Sequence, residues 1–285
     1  MKAFLLFSLL LLLSKAISAG PYEPAAGQTG STAIHKDDNN IIQWATDVDS
    51  YSPGTMVNVP YDNPVESLGS AEGNVTSGIV SLGSGGSITL RFPGPIQNGD
   101  GWDFVVFENG FTDDFLELAR VQVSSDGLNF VEFSGISITA NPVGTFSTID
   151  TSNIANTITN AITLESWNTG YAGKYRAGWG TPYDLDWFIA TGQDGVNVDV
   201  NHITHIRIID IRGDGSFRDI FNNAVYDPYP VTSPGGGFDL DGIGVRYIES
   251  IPSVPVPIPY CFQFFLFITL LSVMKHYSMR HNGIF

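Results

Sequence analysis

Carboxylates are the first residues with chemistry to offer, because the chain carries 29 Asp and Glu against 13 Lys and Arg, for a formal net charge of −16. Hard cations such as calcium take about six to eight oxygens from carboxylates and carbonyls. Asp239 and Asp241, two residues apart, fall on one face of a run that reads as a strand, and Glu108-Asn109 closes another such run. These positions read as calcium ligands; the alternative for Asp239 and Asp241 is that they cap loops through backbone hydrogen bonds. A second cluster is aromatic: Trp167, Tyr171, Tyr175, Trp179, Tyr183 and Trp187, interleaved with Gly170, Gly173, Gly178 and Gly180. Flat rings stack on sugar faces while acids and amides hold the hydroxyls. As a ligand platform the cluster is expected to expose Trp179 and Tyr175, with Trp167 and Trp187 packed as a plug. Its other reading is a loop that packs all its rings over one end of the fold.

Other chemistries find no support. The single cysteine, Cys261, lies in an apolar C-terminal stretch, so the body has no thiolate metal site, no thiol nucleophile and no disulfide. No Gly-x-Ser-x-Gly elbow occurs, and Gly173-Lys174 is followed by Tyr175 rather than the Ser or Thr of a phosphate loop. His202 and His205, three apart on a strand, face opposite ways, one to solvent and one packed. Glycoside hydrolysis asks for two acids about 5–10 Å apart across a sugar, and nothing in the sequence singles out such a pair. The reading is a non-enzymatic protein, with a glycan-active hydrolase as the alternative. Four of the 13 basic residues, Lys2, Lys15, Lys275 and Arg280, sit in the end segments. The strongly acidic body that remains repels a phosphodiester backbone and excludes nucleic acid as a partner.

The elements that must position these residues are strands. Short β-rich runs bounded by Gly, Asp, Asn and Pro cover residues 78–82, 87–92, 103–108, 116–124, 130–133, 203–211 and 238–247. No repeat of propeller length recurs, so the expectation is all-β: a single β-sandwich over residues 20–250. The apolar run at 103–107 predicts a central strand covered on both faces. In residues 116–123 the alternation shifts near Ala119, which predicts a bulge. Asp126-Gly127 predicts a tight hairpin, and residues 143–167, with no steady period, read as a long loop.

The ends read as addresses. Lys2, the apolar run 4–13 and small Ser18-Ala19 make residues 1–19 a signal peptide with cleavage after Ala19. At the other end a Pro-rich segment, 251–259, precedes an apolar stretch and a basic tail, 260–285. A hydrophobic tail ahead of basic residues serves as a membrane anchor in its own right. Both features put the body outside the cytoplasm, at the cell surface, attached to the membrane or released after C-terminal processing.

The order of Pro-rich motif (Val254-Pro-Val-Pro-Ile-Pro259), greasy segment and basic tail resembles the PEP-CTERM family of bacterial sorting signals, with Val256 where the family's motif carries Glu. That resemblance implies export and sorting machinery as partners and surface attachment. The Ser124-Ser-Asp-Gly127 hairpin resembles that of discoidin and other galactose-binding-like sandwiches, and Phe238-Asp-Leu-Asp-Gly-Ile-Gly-Val245 resembles the closing strand of carbohydrate-binding jelly rolls. These imply a jelly-roll body with an extracellular glycan or exopolysaccharide as ligand. They also imply a structural calcium between the first and last strands, with Asp37 or Asp38 completing a shell of Glu108, Asp239 and Asp241. A structural component of the envelope or biofilm, with no specific ligand, fits the same resemblance.

Overall fold

Apolar residues at every second position give a strand one buried face, and a continuous apolar run gives it two. Both patterns appear in the computed structural model, which describes residues 22–113, 116–138, 168–226 and 236–249. The first sheet orders its strands β1 (Ile34–His35), β11 (Trp179–Tyr183), β6 (Phe104–Glu108), β13 (Asp239–Val245) and β2 (Gln43–Trp44), with β4 (Val80–Ser81) also pairing β13. The second runs β3 (Asp47–Ser52), β5 (Ser87–Ile96), β12 (Ile203–Asp210), β7 (Ala119–Ser124) and β8 (Val131–Glu132). A small pair joins β9 (Ile136–Ser137) to β10 (Asn168–Thr169), and every pairing between these strands is antiparallel.

The sheets pack as a sandwich. Phe104 and Val106 of β6 and Leu240, Ile243 and Val245 of β13 share one core with Ile88 and Leu90 of β5, Val121 and Val123 of β7, and Ile206 and Ile208 of β12. Val105 and Phe107 point the other way, into a second layer with Ala71, Ile34, Ile41, Trp44 and Trp102. The double-faced burial expected for 103–107 is what makes β6 a central strand. All seven expected strand regions contain strands. The hairpin forms as well: Gln122 pairs with Glu132 and Val123 with Val131 around Gly127, whose φ is +74°. In that turn the Asp126 carboxylate accepts the amides of Asn129 and Leu128, both at 2.8 Å, which holds its carboxyl well below the ordinary range. His202 is exposed and His205 half-buried, facing Phe130 edge-on.

The expected bulge near Ala119 is absent. β7 begins at Ala119 and pairs without a register shift along β12. Leu116 and Leu118 precede it and pack with Tyr171, Ile211 and Val225 in a separate cluster, so the two alternations belong to two cores rather than to one bent strand. The long loop expected at 143–167, the signal peptide and the C-terminal tail lie outside the described residues. Among the described residues no helix is long and apolar enough to cross a membrane.

Candidate functional site

The four carboxylates of the expected calcium shell are not brought together, and among the described residues no group of three or more His, Cys, Asp or Glu converges on a metal position. Asp37 lies at the surface, 68% exposed, paired with Lys36 at 2.8 Å. Asp38 accepts the backbone and side-chain nitrogens of Asn40. The β6 and β13 ladder shifts register between Leu240 and Gly242, which separates the partners of Asp239 and Asp241. Asp239 accepts the Ser81 hydroxyl, whereas Asp241 takes the amides of Glu72 and Gly73, each at 2.8 Å. The capping reading therefore describes Asp241 well.

Glu108 and Asn109 stand differently. Glu108 is 1% exposed; its Oε2 accepts the Gly110 amide at 2.7 Å, while its Oε1 has no partner. The Asn109 amide nitrogen donates to the Val75 carbonyl at 3.2 Å, and its Oδ1 is also buried without a partner. Burial, and then the negative charge of Asp239, push the Glu108 carboxyl well above its ordinary range. Burial likewise raises Asp239 to about 6, against the hydrogen bonds it receives from Ser81 and Asn109. A buried acceptor left bare beside a second carboxylate is short of positive charge. Glu108, Asn109 and Asp239 are the residues that could hold a hard cation; Asp37 is paired with Lys36, and Asp241, whose charge also reaches Glu108, gives both its oxygens to backbone amides.

Two further buried acids carried no signal that sequence reasoning used. Asp103, just ahead of β6, accepts the amides of Gly99 at 2.8 Å and Leu185 at 2.7 Å. Asp210, at the end of β12, accepts those of Gly85 at 2.7 Å and Phe238 at 2.9 Å. Each ties two loops to a strand end. Desolvation outweighs those amides and raises both carboxyls to about 7.

The aromatic segment divides in a way the sequence did not anticipate. Trp167 lies outside the described residues. Tyr175, expected to be exposed, is 1% exposed, and its hydroxyl meets that of Thr32 at 3.0 Å. The cause is local: Ala172 exchanges both backbone hydrogen bonds with Ala119, which draws the following residues inward. Tyr171 and Tyr183 are buried too. Trp179 is half-buried, with its ring edge-on to His35 at 4.8 Å. Trp187, expected in the plug, is 37% exposed, because it sits on the short helix α1 (Asp186–Ala190), whose buried position is taken by Phe188.

Tyr175 and Trp187 nevertheless belong to one feature. A cleft of about 480 Å³ is lined by residues of the N-terminal segment, the small β9 and β10 pair, β11 and α1, a size that suits a small ligand. Phe133 and Tyr183 form apolar wall, and Trp187 stands at the helix side. Lys174 is buried there against Glu23, and against the pull of burial it holds the Glu23 carboxyl below the ordinary range. The Thr181 hydroxyl, on a residue 6% exposed, has no hydrogen-bond partner. Asp184 and Asp186 complete the lining. A larger groove, of about 1110 Å³, runs beside the hairpin between Asp126 and Asp199. Its central acid, Asp126, is consumed by its own turn, so it offers a ligand less than the Trp187 cleft does.

Fold and cleft together define an antiparallel β-sandwich with a ligand-sized hollow at one sheet's edge. No protein-family model matches the chain, and no curated protein matches it either.

Proposed function

We propose that this chain is an exported, surface-attached, non-enzymatic β-sandwich of the jelly-roll, galactose-binding-like kind, and that it binds an extracellular glycan in the cleft beside Trp187. The observation that carries this reading is one cleft lined by both the exposed Trp187 ring and Thr181, whose buried hydroxyl has no partner. A ring gives a sugar face a flat apolar surface, and a dry hydroxyl without a partner is what an incoming sugar hydroxyl satisfies. Binding is favoured over hydrolysis because Asp184 and Asp186 come from a single turn and Glu23 is tied to Lys174, whereas hydrolysis needs acids on facing sides of the bond. A structural calcium held by Glu108, Asn109 and Asp239 accompanies this reading.

A glycan array probed with the protein is expected to retain a restricted set of sugars. Trp187→Ala is expected to lose that retention while its melting curve stays within about 1 kcal/mol of the parent, since the ring is partly in water already. An array with no retention points to a matrix role. For the address, mass spectrometry of protein released from cells is expected to show a C-terminus ahead of Phe285, with residues 260–285 removed. An intact Phe285 reduces the tail to a plain anchor.

A further inference from the structure

The charge of the cleft narrows what enters it. Its acids are Glu23, Asp184 and Asp186, and its one base among the described residues is Lys174. Lys174 is already matched by Glu23, so Asp184 and Asp186 form the cleft's excess charge. Asp184 accepts the Asp186 amide at 2.9 Å, and Asp186 accepts the Asn98 side-chain amide at 2.8 Å. Both bonds are to neutral groups, and neither cancels a charge. Burial, with the Asp186 charge added to it, raises the Asp184 carboxyl above its ordinary range, which is the response of an anion that lacks a cation.

Two independent features say that the missing cation arrives on a polar ligand rather than as a bare ion. Thr181, more than nine-tenths buried, lines the same cleft, and its hydroxyl has no partner. The Trp187 ring stands on the same short turn as the two acids and is open to solvent, and an indole face attracts a cation as well as an apolar surface. At long range the chain's net charge of −16 draws in cationic polymers and repels uronates or phosphates.

Building on the glycan-binding reading above, we propose that the cleft selects an amino sugar with a free ammonium group, a de-N-acetylated hexosamine within a polysaccharide, using Asp184 and Asp186 for the ammonium, Trp187 for the ring face and Thr181 for a hydroxyl. N-acetylation removes the charge and adds bulk, so the acetylated sugar forfeits the two acids and keeps only the ring and the hydroxyl. A lysine-rich peptide satisfies the acids but leaves the Thr181 hydroxyl without a sugar hydroxyl.

The test is calorimetric titration of the whole-chain protein in detergent with glucosamine tetramer, N-acetylglucosamine tetramer, a galactose oligomer and tetralysine, each at low and high salt. The glucosamine tetramer is expected to bind at least about tenfold more tightly than its N-acetylated form and to lose that margin at high salt. Asp186→Asn, at an exposed position, is expected to shrink the margin with an unchanged melting curve, and Asp184→Asn to do the same more strongly. Trp187→Ala is expected to weaken both sugars together. Equal binding of the acetylated and free sugars, or of galactose, overturns the ammonium selection and leaves the glycan cleft standing. Tetralysine binding as tightly as the glucosamine tetramer overturns the sugar in favour of a cationic peptide site. Binding of none of the four overturns both this inference and the cleft reading on which it rests.

Discussion

Stripped of divalent cations, the protein is expected to melt at a higher temperature at pH 5 than at pH 7.5, the reverse of the usual behaviour of an acid-rich fold. Asp103 and Asp210 carry the argument. Burial raises both carboxyls from 3.8 to about 7 in the folded chain, while in the unfolded chain they titrate at their ordinary values. Between about pH 4 and pH 7 the folded state therefore holds protons that the unfolded state has released, and stability falls as pH climbs through that window. Asp239 and Asp241, raised to about 6 by burial, and Glu108, pushed by burial well above its ordinary range, act in the same direction. Over the span from pH 5 to 7.5 a carboxyl moved as far as Asp103 or Asp210 changes stability by about 2.5 kcal/mol. Two of them, at about 2–4 °C of melting temperature per kcal/mol for a domain of this size, make a difference on the order of 10 °C. The acids held below their ordinary range, Glu23, Asp214 and Asp219 among them, lose their contribution only as pH falls below about 4. The stability maximum is thus expected near pH 5. A maximum at pH 7 or above, in EDTA, contradicts the protonation of these buried acids.

Calcium is expected to change the shape of that curve rather than merely lift it. Glu108 and Asn109 offer the bare oxygens, with Asp239 the second carboxylate beside them, and a cation that binds only the folded chain stabilises by RT ln(1 + [L]/Kd), about 2.7 kcal/mol at a hundredfold excess over Kd. Protons compete for the same two carboxylates, so the gain is expected at pH 7.5 and is expected to vanish toward pH 5. Glu108→Gln removes one of those carboxylates and is expected to abolish the calcium response. Melting curves at the two pH values, with EDTA or with calcium, separate a cation from a proton at Glu108.

What the sequence disclosed, and what it hid, follows from how each residue earns its position. β5, β6, β7, β12 and β13 were legible because their apolar residues repeat with the period of a sheet or run without a break, which is a local property. β11 was not, since Gly180 and Pro182 interrupt it and its partners β1 and β6 lie far away in the chain. Leu116 and Leu118 misled for the opposite reason: their alternation is genuine but serves a second cluster with Tyr171 and Val225. The sequence grouped Glu108, Asp239, Asp241 and Asp37 in one shell, yet the register shift that divides Asp239 from Asp241 has no local mark. Asp103 and Asp210 were invisible as clamps because their partners, the amides of Gly99, Leu185, Gly85 and Phe238, are backbone groups that any residue supplies. The exchange of roles between Tyr175 and Trp187 has the same origin. Exposure within a Gly-rich aromatic run is decided by which ring the sandwich edge covers, and here the chain leaving the Ala119 and Ala172 bridge carries Tyr175 inward to Thr32 while α1 turns Trp187 outward.

The same bridge makes Gly173 the residue at which stability and cleft are most tightly joined, and Gly173→Ala is expected to be the most damaging single methyl in the chain's cleft region. Gly173 has φ of +76°, and a Cβ there falls 1.8 Å from the Glu117 carbonyl oxygen and 3.1 Å from the Phe238 ring. The first of these is backbone and has no rotamer to escape into. Its chain neighbour Ala172 is fixed by two hydrogen bonds to Ala119, at 2.9 and 3.1 Å, and on the other side Lys174 and Tyr175 enter the cleft wall. Relief of the clash requires β7's entry or the cleft wall to move, so the cost is expected to exceed about 4 kcal/mol, a large part of the roughly 5–15 kcal/mol that holds a domain together. Gly178→Ala is the matched control. Its φ is +82°, with no atom within 4 Å of the added Cβ, so it bears the left-handed strain alone, about 1–2 kcal/mol. Denaturant melts of the two variants are expected to differ by more than about 2 kcal/mol. If they match, the approach of Gly173 to Glu117 does not fix this edge of the sandwich, and the inward course of Lys174 and Tyr175 has another cause.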